Sequence, residues 1–413
     1  MPGVRLRLMS IVVLVLGAMV ATWSVWGSDF TDLSVYVAGG RAVLEGAPLY
    51  RAAGDFGLPF TYTPFAALLF VPLALAGPAA PVLMLVASLA ALARVAVLLG
   101  RALADEWSLD PVACSAGLLG LMLMSEPVTA TLSFGQVNAV VLWLVVEAFG
   151  ARRASAPWMI GLAAAIKLTP LAFMPLMFGS RRWRDGLVSV LAFVATVALG
   201  WLVQPSEASR YWTALAVDAR RVGGVAFVSN QSINGMLWRL EGPGGNRVAW
   251  ALSSIAVALV CYAVGIRALR RGDWILAVGS VGLFSLLASP ISWSHHWVLL
   301  TPMLVALCLR RTWTSTALAA LGTAIVISRV IWWVPNRSDL EYQHHGWQIV
   351  AGNAYALFGL VVIAYLAWSL RSNDDPAPRP TVDEPRSAMG PAHTLIESTE
   401  PPHGYQPPLS PTD

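Results

Sequence analysis

The sequence predicts an all-α polytopic membrane protein. Three observations carry the fold class. Hydrophobic residues fill 57% of the 413 positions and charged residues only 12%, against roughly 25% charged in a soluble domain. Mean hydropathy is +0.64. Apolar runs recur from Leu8 to Leu370, with the charge gathered in short stretches between them.

The elements follow in order. A span needs about 20 apolar residues, fewer where a helix breaks inside protein. Basic loops mark the cytoplasmic side. These are Arg5 and Arg7, Arg94–Arg101, Arg152-Arg153, Arg181–Arg184, Arg267–Arg271, Arg310-Arg311 and Arg371. Leu8–Trp26 follows a basic start, but no small-x-small cleavage site precedes Asp29 and many spans follow. It reads as an uncleaved first helix. Gly27–Tyr62 then lies outside. Pro72 and the Gly77-Pro78 break make Tyr62–Ala76 a short interfacial or re-entrant helix, and the second span is about Pro81–Leu99. Pro111–Met124 goes out and Val137–Phe149 returns. Trp158–Phe178 has arginines at both flanks, so a single crossing fails. Lys167-Leu168-Thr169-Pro170 in its middle predicts two short helices meeting at a break, with Lys167 at the outer turn. Further spans are expected at Leu187–Leu202, Val248–Ile266, Trp274–Leu287, Trp297–Leu309, Thr314–Val334 and Ile349–Trp368. The total is about twelve transmembrane or broken helices, with both ends inside. Residues 1–371 form the membrane domain. Residues 372–413, rich in Pro, Ser, Asp and Glu, read as a disordered cytoplasmic tail.

Composition also excludes some chemistries. Cys114, Cys261 and Cys308 lie in apolar runs without CxxC spacing, neither a disulfide framework nor a metal site. There is no Walker or dinucleotide glycine pattern, so no cofactor is expected. The pI near 9.1 comes from arginines in loops between spans, so it does not point to nucleic acid. The expected surroundings are membrane lipids.

On this topology every polar cluster that is not a basic loop falls on the outer face. Asp29 and Asp32 follow the first span at i, i+3 spacing, as solvated helix caps or as groups serving a reaction. Gln136 and Asn138 open a helix, as caps and interhelical contacts or as partners for sugar hydroxyls. Lys167 inside an apolar run costs ~2.5–3.5 kcal/mol at a span centre, and the break beside it favours a cation held for an anion. Arg220 and Arg221, external against the basic trend, point to an anionic ligand. Asn230, Gln231 and Asn234 make the same loop amide-rich, and Asn230-Gln231-Ser232 matches a glycosylation sequon. Ser292, His295 and His296 sit at the outer end of a span. Adjacent histidines face different sides of a helix, so His295-His296 and His344-His345 are poor chelates and no metal is expected. The 18 tryptophans gather near span ends, as an interfacial belt does.

Taken together, the motifs resemble a known family. Asp32-Leu33-Ser34-Val35-Tyr36, Gly46 with Leu49-Tyr50, and Tyr62-Thr63-Pro64 are similar to the first outer loop of actinobacterial polyprenol-phosphate-mannose-dependent α-1,2-mannosyltransferases. These are GT-C-class membrane glycosyltransferases. Gly135-Gln136-Val137-Asn138, Lys167-Leu168-Thr169-Pro170, Asn230–Gly235 and Ser289–His296 are similar to that family's motifs in the same order. The resemblance implies transfer of mannose from a polyprenyl-phosphate sugar donor to a glycolipid acceptor on the outer leaflet of the cell membrane. The acceptor would be of phosphatidylinositol mannoside or lipomannan type. One member type uses a polyprenyl-phosphate arabinose donor, and that alternative stays open.

Inverting transfer needs one base for the acceptor hydroxyl and positive charge for the leaving phosphate. Asp32 is expected as the base, because it carries the Asp-x-x-x-Tyr spacing of the family loop. His296, nearer the span than His295, is expected to touch the donor phosphate or steer the base. Lys167 is expected to bind that phosphate. Asp29, Tyr36, Tyr62, Gln136, Asn138, Arg220, Arg221, Asn230, Gln231, Asn234, Ser292 and His295 are expected to bind substrate. A transporter and a non-catalytic assembly subunit remain the competing readings.

Overall fold

The computed structural model describes residues 2–150, 156–216, 218, 221, 223–337 and 339–372. Arg152-Arg153, Arg220 and the expected tail beyond 372 lie outside these. Among the described residues the fold is helical throughout, with only two isolated β-bridges, Ala53↔Pro59 and Asn230↔Trp293. Five helices are long and apolar enough to span a membrane, or six if one bent pair counts as a span, and five shorter apolar helices stand beside them.

Helix α1 (Pro2–Val25) is apolar on all sides and leaves Leu8, Val12, Val15 and Met19 exposed, as a lipid-facing helix does. It crosses the helix Pro111–Met124 where Gly17 meets Gly120, so closely that a Cβ on either would strike the other helix's backbone. Small residues allow this approach in membranes. Helix α2 (Thr31–Glu45) lies outside the spans and ends at Gly46, whose positive φ closes the helix. Next come α3 (Pro64–Leu69), capped by Thr63, and α4 (Val71–Ala76). Phe70 separates them and Pro72 lies in the first turn of the second, so the expected helix Tyr62–Ala76 is two short helices. Helix α5 (Ala80–Trp107) follows.

Asp110 caps α6 (Pro111–Met124) by accepting from the Ala113 amide at 2.7 Å, and Arg7 pairs with the same carboxylate. The chain then bends by 69° into α7 (Glu126–Ser133). The bend falls where Ser125 turns extended and Pro127 starts a new helix, a feature absent from the expected span pattern. Helix α8 (Asn138–Gly150) returns.

The run from Trp158 to Phe178 breaks as expected. Helix α9 (Trp158–Ile166) stops at Lys167, whose backbone is extended. A 3₁₀ turn (Thr169–Ala172) leads into α10 (Phe173–Gly179). Ser189 Oγ of α11 (Trp183–Val203) lies 2.7 Å from the Pro157 carbonyl oxygen and 3.3 Å from Met177 Sδ. The two ends of the run therefore meet one residue, and the chain doubles back with Lys167 at its tip.

Helix α12 (Pro205–Arg210), a π-turn (Tyr211–Leu215) and α13 (Ile233–Glu241), capped by Ser232, form the largest loop region. Helices α14 (Arg247–Arg270) and α15 (Trp274–Ala288) are capped by Asn246 and Asp273. The expected span at Trp297–Leu309 begins as a 3₁₀ helix, Ser294–Leu300, before α16 (Thr301–Leu309). Helix α17 (Trp313–Ser328) opens with a Thr312/Ser315 capping box and ends six residues before the expected Val334, where Arg329 turns into the left-handed region. The last expected span is α18 (Trp347–Gly352) and α19 (Ala354–Ser372), separated at Asn353.

Candidate active site

The site begins with an uncapped helix. Thr31 starts α2, but Phe30 before it is left-handed and its side chain supplies no cap. Instead the Phe134 carbonyl, at the end of α7, accepts from the Asp32 and Leu33 amides at 3.1 Å each. Unpaired amides at a helix start need such an acceptor. The next residue, Gly135, has φ of +64°, and a Cβ there would strike Leu33. This junction sets the first turn of α2 against the first turn of α8, and so Asp32 against Gln136.

Gln136 is the hub. Its Nε2 donates to Asp32 Oδ2 at 2.6 Å. Its Oε1 accepts from Tyr36 Oη at 2.7 Å, from Lys167 Nζ at 3.1 Å and, more weakly, from Tyr62 Oη at 3.5 Å. Three donors on one oxygen leave the amide only one orientation, nitrogen toward the carboxylate. One carboxamide thus separates an acid from a cation. Lys167 also donates to Asn138 Oδ1 at 2.5 Å, lies 5.6 Å from the Tyr62 ring centroid, and meets His296 Nε2 at 3.4 Å. Against a Lys167 ammonium, which can only donate, Nε2 accepts and a neutral His296 carries its proton on Nδ1.

Asp32, Tyr62, Gln136, Lys167, Arg221, His295 and His296 line a single cavity of about 540 Å³, together with Tyr211, Asp218 and Trp293. A second, narrow niche behind Lys167 and His296 is lined by Asn138 and Ser292. The main cavity is large enough for a small ligand. Burial pushes the Asp32 carboxyl above the usual carboxylate range, while the Gln136 hydrogen bond and the Lys167 charge pull it partly back. His295 is buried, and among the described residues neither ring nitrogen has a hydrogen-bond partner. Its backbone carbonyl is held by Asn138 Nδ2 at 3.0 Å and Thr131 Oγ1 at 3.2 Å.

Other expected residues are placed elsewhere. Asp29 is exposed and does not line the cavity. Tyr36 is fully buried behind it. Arg221 lines it, donating to the Phe60 carbonyl at 2.9 Å with its guanidinium 5.3 Å from the Tyr50 ring. The amides Asn230, Gln231 and Asn234, expected to bind substrate, are committed to the chain's own backbone. Asn230 Oδ1 accepts from the Ser292 amide at 2.9 Å, and Gln231 Nε2 donates to the Val228 and Gly352 carbonyls at 2.6 and 2.8 Å. Asn234 Nδ2 donates to the Pro290 carbonyl at 3.0 Å. They brace the Ser289–Trp293 strip that forms one cavity wall. The two histidine pairs are not gathered: His344 Nε2 bonds the Pro335 carbonyl at 2.7 Å, and His345 Nδ1 the Gln343 carbonyl at 3.1 Å.

Two buried groups lie outside the expected site residues. Arg239 donates Nε and Nη2 to Asn353 Oδ1 at 2.9 and 2.7 Å, and Nη1 to the Ala226, Phe227 and Asn230 carbonyls. It pins the loop after 223 to the α18–α19 junction. Glu126 is the other, buried where α7 begins.

With this geometry in place, comparison with known proteins is decisive. Residues 60–290 match the model of glycosyltransferase family 87. The chain belongs to that family. It is 34% identical over 393 residues to a polyprenol-phosphate-mannose-dependent α-(1-2)-phosphatidylinositol mannoside mannosyltransferase of Mycolicibacterium smegmatis, covering 86% of this chain and 87% of the relative. A phosphatidylinositol pentamannoside mannosyltransferase of the same organism is 34% identical over 398 residues, covering 89% and 93%. An α-(1->3)-arabinofuranosyltransferase of Corynebacterium glutamicum is more distant, 27% identical over 242 residues, with 55% and 54% covered. The family 87 assignment agrees with the resemblance read from the motifs. It makes the cavity the place to look for glycosyl transfer.

Proposed function

We propose that this family 87 protein is an inverting mannosyltransferase. It moves mannose from polyprenyl-phosphate mannose to a phosphatidylinositol mannoside or lipomannan-type glycolipid, forming an α-1,2 linkage at the outer face of the cell membrane. The observation that carries the reading is Gln136 wedged between Asp32 and Lys167 inside one cavity. Asp32 Oδ1 is left to take the proton of the acceptor hydroxyl as its oxygen bonds to the anomeric carbon. The bond from that carbon to the phosphate oxygen breaks on the opposite face, and its electron pair leaves with the phosphate. Lys167 and the Nδ1 proton of His296 meet the charge that develops there. The leaving phosphate is a good leaving group and needs no protein acid. A raised Asp32 pKa suits a base working near neutral pH.

Mannose is favoured over arabinose because the mannosyltransferase relatives align over most of this chain at higher identity. A transporter is disfavoured because the charged groups converge on one cavity wall where a base and a cation share one amide.

The test uses purified protein in detergent, where transport has no meaning, with labelled polyprenyl-phosphate mannose and a phosphatidylinositol mannoside. Asp32→Asn should lower kcat by ~10²–10⁴-fold, the usual loss for a general base, with donor binding retained. Asp29→Asn should stay active. Normal turnover by Asp32→Asn with loss in Asp29→Asn would move the base to Asp29. Turnover of polyprenyl-phosphate arabinose in place of mannose would give the protein the other donor.

A further inference from the structure

We infer that Glu126 is a positioning residue for His295 and His296, an inference that rests on the site proposed above. The carboxylate is buried, 2% exposed, and lies where four separate parts of the chain converge. Oε1 accepts from Ser294 Oγ at 2.7 Å and from Trp332 Nε1 at 2.9 Å. Oε2 accepts from Tyr355 Oη at 3.0 Å. Ser294 opens the 3₁₀ helix that carries both histidines, and it is the residue immediately before them. Its hydroxyl also accepts from Ser229 Oγ at 3.1 Å.

The partners all donate, and only a carboxylate accepts on both oxygens without offering a proton. A carboxamide in its place would turn one accepting position into a donor facing Ser294 and Trp332, or facing Tyr355. The link to function is the register of the Ser294–Leu300 turn. Thr131 and Asn138 grip the His295 carbonyl from α7 and α8, and Glu126, also on α7, grips the residue before it. One helix thus fixes the histidine strip at two successive residues. The same Asn138 side chain accepts from Lys167. A shift of Ser294 would therefore move His296 against Lys167, at a contact that is already 3.4 Å long. Glu126 touches neither the cavity lining nor a reacting atom; it acts through Ser294.

The test compares Glu126→Gln, Glu126→Asp and Ser294→Ala, alone and with His296→Ala, in the same detergent assay. Displacing a reacting group by about 1 Å can cost ~10²-fold. Glu126→Gln should lower kcat by about that factor, with KM for the acceptor unchanged. Ser294→Ala removes the link to the histidine strip along with the Ser229 contact, leaves Trp332 and Tyr355 paired, and should lose part of the same rate. In the His296→Ala background both changes should cost little more, because the route they act through is gone. Full multiplication of the losses, or wild-type kcat per folded molecule with only a lowered Tm, overturns the inference and leaves Glu126 a structural brace. Should Glu126→Gln not fold, Ser294→Ala decides alone. If His296→Ala and Lys167→Met are both fully active, the site assignment itself fails, a result separable from a fault in Glu126.

Discussion

Replacing Gln136 by methionine is the sharpest probe of the site, because it keeps the volume and removes every hydrogen bond of the hub. The amide nitrogen donates to Asp32 at 2.6 Å, and the oxygen accepts from Tyr36 and Lys167 at 2.7 and 3.1 Å. Two of these bonds carry a charge and are worth about 1.5–3 kcal/mol each. Not all of that appears in the rate, because only what differs between ground and transition state counts. Two effects should be read separately. The first is on pH. The Gln136 donor lowers the Asp32 pKa against the burial that raises it. Its removal sends the carboxyl further up, because the charged form loses a hydrogen bond while the burial that disfavours it stays. Asp32 must be ionised to accept a proton, so activity falls as pH drops through its pKa. The acid limb of kcat/KM, which reports the free enzyme, should therefore move to higher pH. The second effect is on geometry. With Asp32 and Lys167 no longer spaced by one amide, the plateau rate should drop by ~10²-fold. The assay is mannose transfer in detergent across the acid-to-neutral range. An unmoved limb together with wild-type plateau turnover would refute the coupling of Gln136 to Asp32.

Other outcomes follow from the same geometry. Lys167→Met should raise KM for the lipid-phosphate donor and lower kcat, and Lys167→Glu should be worse because repulsion is added to lost attraction. A cysteine at 167 should react with an impermeant reagent from the outer side; labelling only from the cytoplasm would sink both the orientation and the phosphate role. Arg239→Ala should destabilise the protein by roughly 3 kcal/mol or more, since Asn353 and three carbonyls lose their buried donor. A thermal melt in detergent measures it, and an unchanged Tm would show the loop braced by other means.

Much of the fold was legible because lipid leaves a helix few alternatives. Apolar runs and basic flanks placed most helices within a few residues, and the arginines around Trp158–Phe178 forced the break at Lys167 that the Ser189 contacts reveal. The bend at Glu126-Pro127 was missed because a carboxylate beside a span reads equally well as an outer-loop group. Asp32, Gln136, Lys167 and His296 were singled out one by one, and their convergence is a tertiary fact. Asn230 and Gln231 show a different ambiguity. An amide looks the same in sequence whether it faces a sugar or a carbonyl, and these face Ser292, Val228 and Gly352. Arg239 and Glu126 draw on Asn353 and Tyr355, more than a hundred residues away, where no local pattern could announce them.

The doubled-back run at Lys167 has a further meaning for the fate of the sugar. Its tip does not reach the end of α11. Ala165, two residues before the lysine, shares a niche with Thr196, Val197 and Gly200, and α11 continues to Val203. The lysine's backbone thus stops short of Val203, the last residue of α11. A sugar phosphate drawn to its ammonium would descend into a well walled by Tyr62, Tyr211 and Trp293. An activated mannose exposed to bulk water would be spent by hydrolysis. In such a recess an acceptor hydroxyl would meet less competition from solvent, and its depth would set the ratio of transferred to wasted sugar.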